Sequence, residues 1–155
     1  MKIAVIQIRG LIGVNREIKD TLRMLNLSRK NSCVIVDNSV QFIGMIRKIK
    51  DYITWGEVSE EIIGLLMEKR GKLPANIPLT EQYAKEKLNL TIAQFAKEVS
   101  EGNKKIKELP GLKPFFRLHP PVGGFEKGGI KKPFSLGGVL GYRKDKINEL
   151  IKKMI

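Results

Sequence analysis

The chain has 155 residues, and its 29 Lys and Arg outnumber its 16 Asp and Glu, which gives a net charge of +13 at pH 7. This length fits one domain or one domain with an elaboration, and a hydrophobic fraction of 42% excludes a wholly disordered chain. The longest apolar runs, such as residues 34–36, are too short to cross a bilayer, and the N-terminal apolar stretch is too short for a signal peptide. We therefore expect a compact, strongly basic, cytoplasmic protein without membrane attachment.

The side chains that most enzymes and metal sites need are scarce. Cys33 is the only cysteine and His119 is the only histidine, so an internal disulfide and a cysteine-rich zinc site are excluded. His119 lies between Leu118 and Pro120 and has no neighbouring nucleophile or orienting acid in the sequence. The sequence therefore predicts no catalytic residue, no metal site and no cofactor.

Residues 1–58 predict a β-α-β-α-β core. Alternating apolar residues and short β-branched runs favour strands, and apolar residues at helical spacing separate them. Each of the two helices has one apolar stripe, so both should cover one face of a small sheet, through right-handed crossovers. The predicted strands span residues 2–9, 33–36 and 53–58. The predicted helix caps are Asn15 for the first helix and Asn38 or Ser39 for the second.

Residues 59–102 form a helical insertion in this prediction. Ser59 and Thr80 are plausible caps, and Thr91 with Gln94 has the pattern of a capping box. Two prolines, Pro74 and Pro78, mark a loop between the first and second of these helices. The fold class predicted from these elements is α+β.

Residues 103–141 are rich in Gly and Pro, which precludes a long regular element. The segment also contains aromatic residues, unlike a Gly/Ser linker. We expect it to pack partly on the domain and to extend partly along a partner. Residues 142–155 then predict an amphipathic C-terminal helix that packs on the core, with Ile147, Leu150, Ile151 and Met154 on its apolar face.

The positive charge is concentrated toward the C-terminus. Residues 103–155 carry 13 Lys and Arg against 4 Asp and Glu, whereas residues 1–102 carry 16 against 12. Lys and Arg displace the counterions condensed on phosphates, so this excess favours a nucleic acid partner. A solvated basic surface and an anionic membrane are the alternatives, and the membrane is the weaker one because the basic segment lacks an apolar face.

Several runs of sequence resemble the L30 family of large-subunit ribosomal proteins. Through about residue 58 the chain matches the short bacterial form almost without gaps, and the remainder matches the longer archaeal form, whose eukaryotic relative is called L7. The runs of the first kind are 10–13, 21–27, 31–34 and 44–50. Those of the second kind are 52–56, 69–71, 128–132 and 143–148. Their order and spacing, rather than any one motif, identify the family.

The resemblance implies a ferredoxin-like core, an archaeal helical insertion and a structural role in the large ribosomal subunit, bound to 23S rRNA. It also implies a position near 5S rRNA and neighbouring large-subunit proteins, and it implies no catalysis. A free RNA-binding translational regulator is the alternative function. An RNA-directed enzyme is a further class, but it would need a pocket of converging ionisable groups that the sequence does not supply.

Charge and position, rather than the resemblance, select the candidate RNA contacts. The Gly-rich backbone is expected to approach phosphates closely, and Phe125 and Phe134 either stack on bases or cover the domain's own surface. The candidates in the core are Arg9, Arg16, Arg23, Arg29, Lys30, Arg47 and Lys48. The candidates in the extension are Lys113, Arg117, His119, Lys127, Lys131 and Lys132.

Overall fold

A computed structural model describes residues 2–155 and, within them, a five-stranded sheet with six α-helices. The strands are β1 (Lys2–Gln7), β2 (Ser32–Asp37), β3 (Ile53–Glu57), β4 (Phe116–Arg117) and β5 (Gly141–Tyr142). The helices are α1 (Arg16–Met24), α2 (Val40–Lys48), α3 (Glu60–Arg70), α4 (Glu81–Leu88), α5 (Ile92–Glu101) and α6 (Lys146–Met154). This content confirms the predicted α+β class, with a ferredoxin-like core and inserted helices. No helix within residues 2–155 combines the length and the apolar character that a membrane crossing requires.

The strands lie in the order β4-β2-β1-β3-β5. The central strand β1 pairs antiparallel with both β2 and β3. The crossover expected between β1 and β2 is therefore wrong, because the handedness rule governs parallel strands. β2 and β3 are parallel to each other, so the connection through α2 does cross over β1, as expected. A connection between adjacent antiparallel strands begins and ends at the same end of the sheet, so α1 spans a long hairpin rather than a crossover.

Every residue of β1 is buried, because both faces of the sheet are covered. Ile3 and Val5 face a cluster that includes residues of α1 and α2, so both helices cover one face, as predicted. Ala4 and Ile6 face the opposite way, into a second cluster formed with α3, α5 and α6. Because successive side chains of β1 point to opposite faces of the sheet, the core has two layers. One layer contains α1 and α2, and the other contains α3, α5 and α6.

Three helix N-termini have the caps that the sequence predicts. The Thr91 side chain accepts from the Gln94 amide at 3.3 Å, and the Gln94 side chain accepts from the Thr91 amide at 3.0 Å. Ser39 and Thr80 cap α2 and α4 in the same manner. Asn15 precedes α1 as predicted, but its side chain makes no capping hydrogen bond. At Ser59 the predicted side-chain cap does not form either. Its amide instead donates to Asn148 Oδ1 at 3.1 Å, which ties the start of α3 to α6.

The C-terminal third of the chain contributes one short strand to each edge of the sheet. β4 pairs antiparallel with β2, and β5 pairs parallel with β3. Because Tyr142 belongs to β5, α6 begins at Lys146 rather than at residue 142 as the sequence predicts. The predicted apolar face of α6 is buried in the second layer of the core.

Candidate nucleic-acid interface

Five basic side chains line one depression of about 370 Å³ beside β4, which we call the basic cleft. Its basic residues are Arg29, Arg70, Lys72, Lys113 and Arg117. Ser28, Ser32, Asn76 and Phe115 complete the lining, which contains no Asp or Glu among the residues that the structure describes. Such a site repels cations and attracts phosphate oxygens, since no internal acid neutralises it.

Pairing of distant segments assembles the basic cleft. Arg117 lies on β4 opposite Ser32 of β2, close to the turn that carries Arg29. The Lys113 amide donates to the Lys72 carbonyl at 2.9 Å, which places both lysines together. The Lys113 ammonium also donates to Asn76 Oδ1 at 2.7 Å.

Arg70 and Lys72 are cleft residues that sequence reasoning missed. Arg70 ends α3 and donates to the main-chain oxygen of Ile155, while its Nε is buried without a hydrogen-bond partner in the part of the chain described. In the sequence, Lys69-Arg70-Gly71 is typical of a helix end, where cations are common. Only the tertiary contact with Lys113 shows that the segment also faces Arg117.

A second basic region is the ordered loop of residues 123–141, which we call the glycine loop. Arg143, only 2% exposed, holds this loop from beneath. Its Nη1 and Nη2 donate to the Glu126 carboxylate at 2.6 and 3.3 Å, and Nη2 also donates to the Val139 carbonyl at 2.9 Å. Its Nε donates to Thr54 Oγ1 at 2.8 Å, which fastens the loop to β3.

The Glu126 carboxylate is held ionised in this arrangement. Burial raises its pKa, but hydrogen bonding and charge from Arg143 outweigh burial, so the pKa lies below its usual 4.5. The ion pair therefore persists at neutral pH and joins the two arms of the loop.

Two glycines allow the arms of the loop to approach each other. A Cβ on Gly128 would lie 2.4 Å from the Gly137 carbonyl oxygen, and one on Gly138 would lie 2.1 Å from the Lys132 oxygen. The Gly128 amide donates to the Gly137 carbonyl at 3.0 Å. The sequence predicts that these glycines let the backbone approach phosphates. At these two positions they instead let two segments of the protein's own backbone approach each other, which gives the loop a defined shape.

The structure also shows where the two aromatic residues of the loop lie. Phe125 is half-buried and packs against the second core layer. The ring of Phe134 lies 4.6 Å from the Arg143 guanidinium carbon and 5.8 Å from the Lys146 ammonium. Both positions favour the interpretation that these residues cover the domain's own surface.

The glycine loop reaches the end of β1 through Ile130. Lys127, Lys131 and Lys132 are exposed. A depression of about 300 Å³, which we call the loop edge, has Arg9, Lys30, Tyr52 and Ile130 in its lining. Arg29 of the basic cleft and Lys30 of the loop edge are consecutive in the chain, and we call the two depressions together the basic surface.

The remaining candidates lie outside both depressions. Arg16 and Arg23 on α1 approach Asp20 at 3.9 and 3.7 Å, and Lys48 on α2 approaches Glu17 at 3.1 Å. Arg47 and His119 are exposed. The structure thus brings together Arg9, Arg29, Lys30, Lys113, Arg117 and the glycine loop, and separates them from the cations of α1 and α2.

Groups suited to catalysis or metal binding do not converge at this surface. The described residues contain no cluster of three or more His, Cys, Asp or Glu that could hold a metal ion. Cys33 lies in β2, and burial raises the pKa of its thiol to about 12, so the thiolate that would react is not formed at neutral pH.

The sequence of this chain is similar to those of known ribosomal proteins. The family described as ribosomal protein L30p/L7e matches residues 3–53. The large ribosomal subunit protein uL30 of Methanopyrus kandleri is 49% identical over 148 residues, covering 95% of this chain and 99% of the relative. The uL30 protein of Methanococcus maripaludis is 47% identical over 155 residues and covers both chains fully. That of Nanoarchaeum equitans is 47% identical over 152 residues, covering 98% and 97%.

Proposed function

Because the chain belongs to the L30p/L7e family of ribosomal proteins, we propose that it binds 23S rRNA in the large ribosomal subunit and stabilises the fold of that RNA. Membership of the family confirms the resemblance to its archaeal form and makes the chain a ribosomal structural protein, not an enzyme. The proposal includes a position near 5S rRNA and contact with neighbouring large-subunit proteins. The observation that carries the RNA contact is the basic surface, which consists of the basic cleft and the loop edge.

The basic cleft supports binding to the phosphate backbone rather than to base edges. Arg29 and Arg117 offer planar guanidinium groups that can bind phosphate oxygens in pairs, and Arg70, Lys72 and Lys113 add positive charge. Phosphate contacts set the position of a protein on RNA but carry no sequence information directly. We expect most of the binding free energy to come from counterion release.

The glycine loop adds cations on a backbone that needs little further ordering. Arg143 and Glu126 fix the loop in the unbound protein. Binding through Lys127, Lys131 and Lys132 therefore loses less conformational entropy than binding through a disordered tail.

The outlying candidates contribute less in this proposal. Arg16, Arg23 and Lys48 already have acidic neighbours, so transfer to RNA exchanges one partner for another. Arg47 and His119 complete this set as peripheral contacts.

Three charge-reversal variants test the surface by the salt dependence of binding to 23S rRNA. The first reverses Arg29, Lys72 and Arg117, and the second reverses Lys127, Lys131 and Lys132. The matched control reverses three exposed lysines of α4 and α5: Lys85, Lys87 and Lys97. Each phosphate contact contributes about 0.7–0.9 to the slope of log K against log salt concentration, so the first two variants should each lower the slope by about 2–3. The control should change it by less than about 1.

Equal slopes for all three variants would show that only net charge matters and would overturn the assigned surface. Sedimentation addresses the alternative of a free translational regulator. A structural constituent stays with the large subunit through moderate salt, whereas a regulator is recovered mostly outside it.

A further inference from the structure

The outer edge of β2 is only half covered. β4 pairs with Ser32 and Cys33, and within residues 2–155 the rest of β2 has ladder partners on β1 alone. The Ile8 amide donates to the Tyr52 carbonyl at 2.9 Å and the Val58 amide donates to the Lys2 carbonyl at 3.2 Å, so the even-numbered residues of β1 face β3. Ala4, which is opposite Ile35, therefore directs its main-chain polar groups away from β2. Because opposite residues of an antiparallel pair either exchange both hydrogen bonds or exchange none, Ile35 directs its N–H and C=O away from β1, beyond the end of β4.

An apolar cleft of about 320 Å³, which we call the edge cleft, opens at this part of β2. Met24 and Phe42 line it from the α1/α2 layer, and Val99 and Ile106 line it from the opposite layer. Met24 is 67% exposed, although its side chain is apolar. The edge cleft thus lies between the two helical layers, where the sheet itself reaches solvent.

The chemistry of the edge cleft differs from that of the basic cleft. Apolar walls and a main-chain N–H and C=O at its floor match an extended polypeptide, which supplies the complementary groups at the same spacing. Lys2 and Asp37 also belong to the lining and form an ion pair with each other, so the unpaired charge of the cleft is positive. The apolar walls and the main-chain groups favour a protein strand over RNA.

We propose that the edge cleft binds an extended, acidic segment of a neighbouring protein, which adds to β2 as a short strand. The proposal rests on the proposed function, since the assembled large subunit supplies that neighbour. Lys105 and Lys107 line the same cleft and are exposed, and neither has an ion-pair partner in the described part of the chain. Alternating apolar side chains of the segment would contact the two walls, and its acids would pair with these lysines.

A second copy of this chain fits the edge cleft poorly. Two β2 edges paired about a two-fold axis would bring Lys105 and Lys107 of both copies to one interface, where like charges repel. The occupant is therefore a different protein with a negative segment.

Two variants separate this site from the general stability of the fold. Ile35→Pro removes the N–H that faces outward and leaves the ladder to β1, which uses the alternate residues, and proline is tolerated on edge strands. Ile35→Val is its matched control, because it keeps the N–H and most of the side chain. The double variant Lys105→Glu with Lys107→Glu removes the charge complementarity without altering β2.

The experiment places a photo-crosslinking residue at Met24 in protein assembled into purified large subunits and maps the products by mass spectrometry. We expect one contiguous protein segment with acidic and alternating apolar residues. Ile35→Pro should lower the yield at least fivefold and Ile35→Val less than twofold. The lysine double variant should lower it at least threefold, and this result decides the matter if Ile35→Pro does not fold.

Crosslinks to rRNA, to a second copy or to nothing, in subunits that contain the protein, would overturn the docking site while leaving the proposed function intact. Absence of the unmodified protein from the subunit peak would overturn the proposed function, and the docking site with it.

Discussion

The two edge strands of the sheet, β4 and β5, are held in place by different kinds of contact. At each edge the C-terminal third of the chain adds a strand of only two residues. At the β2 edge the anchor is apolar, because Phe116 of β4 is fully buried. At the β3 edge the anchor is a buried charge, because Arg143 follows β5 and binds Glu126 and Thr54.

The difference determines which cations remain available to a partner. Burying a guanidinium is costly, and here four hydrogen bonds and an ion pair offset that cost by joining β3 to the glycine loop. Arg143 is consequently unable to bind RNA. Arg117 on β4 remains exposed, because apolar burial holds its strand. The basic residues therefore serve two purposes: the buried Arg143 stabilises the fold, and exposed residues such as Arg117 remain available to a partner.

Removing the apolar anchor should have the largest effect. Phe116→Ala leaves a cavity beneath β4, and we expect the free energy of unfolding to fall by about 3–5 kcal/mol. Urea denaturation measures this loss. Phe115→Ala is the control, because Phe115 is only half-buried and should cost less. A loss below about 1 kcal/mol for Phe116→Ala would mean that β4 is held by something else.

Breaking the charged anchor should rank second. Glu126→Gln leaves the buried Arg143 guanidinium without its carboxylate, and the expected loss is about 2 kcal/mol, reduced from the fully buried case because Glu126 is 32% exposed. Hydrogen exchange of amides 128–139 should accelerate. Glu149→Gln on the exposed face of α6 is the control. Unchanged exchange in the glycine loop would contradict the role assigned to the ion pair.

Gly138→Ala should have a somewhat smaller effect, of about 1–2 kcal/mol, because its Cβ would meet the Lys132 oxygen at 2.1 Å and force the arms of the loop apart. The matched variant Gly44→Ala lies in α2, where no atom approaches within 4 Å, and should raise stability by up to about 1 kcal/mol. Thermal denaturation compares the two, and effects of equal sign would refute the steric argument.

Acid should weaken the charged anchor and leave the apolar one unaffected. The pKa of Glu126 is lower in the folded protein than its usual 4.5, so the unfolded chain binds a proton first as the pH falls. The stability contributed by Glu126 is therefore present above pH 4.5 and is lost as the pH falls through the folded pKa. Urea denaturation between pH 3 and 6 should show this loss in the natural protein and not in Glu126→Gln.

The smallest effect is expected for the exposed ion pairs of α1. Asp20→Asn removes the acid shared by Arg16 and Arg23, both largely exposed, and should change the free energy of unfolding by less than about 0.5 kcal/mol. A loss above about 1 kcal/mol, measured by the same urea denaturation, would show that exposed charges also hold this fold.

The sequence predicted the candidate surface only in part. Charge and position in the chain select Arg29, Lys113 and Arg117, whereas Arg70 and Lys72 lie at and just beyond a predicted helix end and are not selected. Arg143 gave no signal, because nothing near it in sequence indicates that its guanidinium is buried. The sequence predicts that the segment containing the glycine loop is partly extended along a partner. The ion pair that closes the glycine loop joins residues 17 positions apart, so no local pattern indicates it.

By itself the sequence determined the helices, their caps at Ser39, Thr80 and Thr91, the three central strands and the family, because periodicity and capping act over a few residues. Only the tertiary structure decided the antiparallel pairing around β1, the two short edge strands and the separation of buried from available cations. Those features depend on contacts between distant segments, where burial, rather than local pattern, determines whether a charge stabilises the fold or remains free to bind a partner.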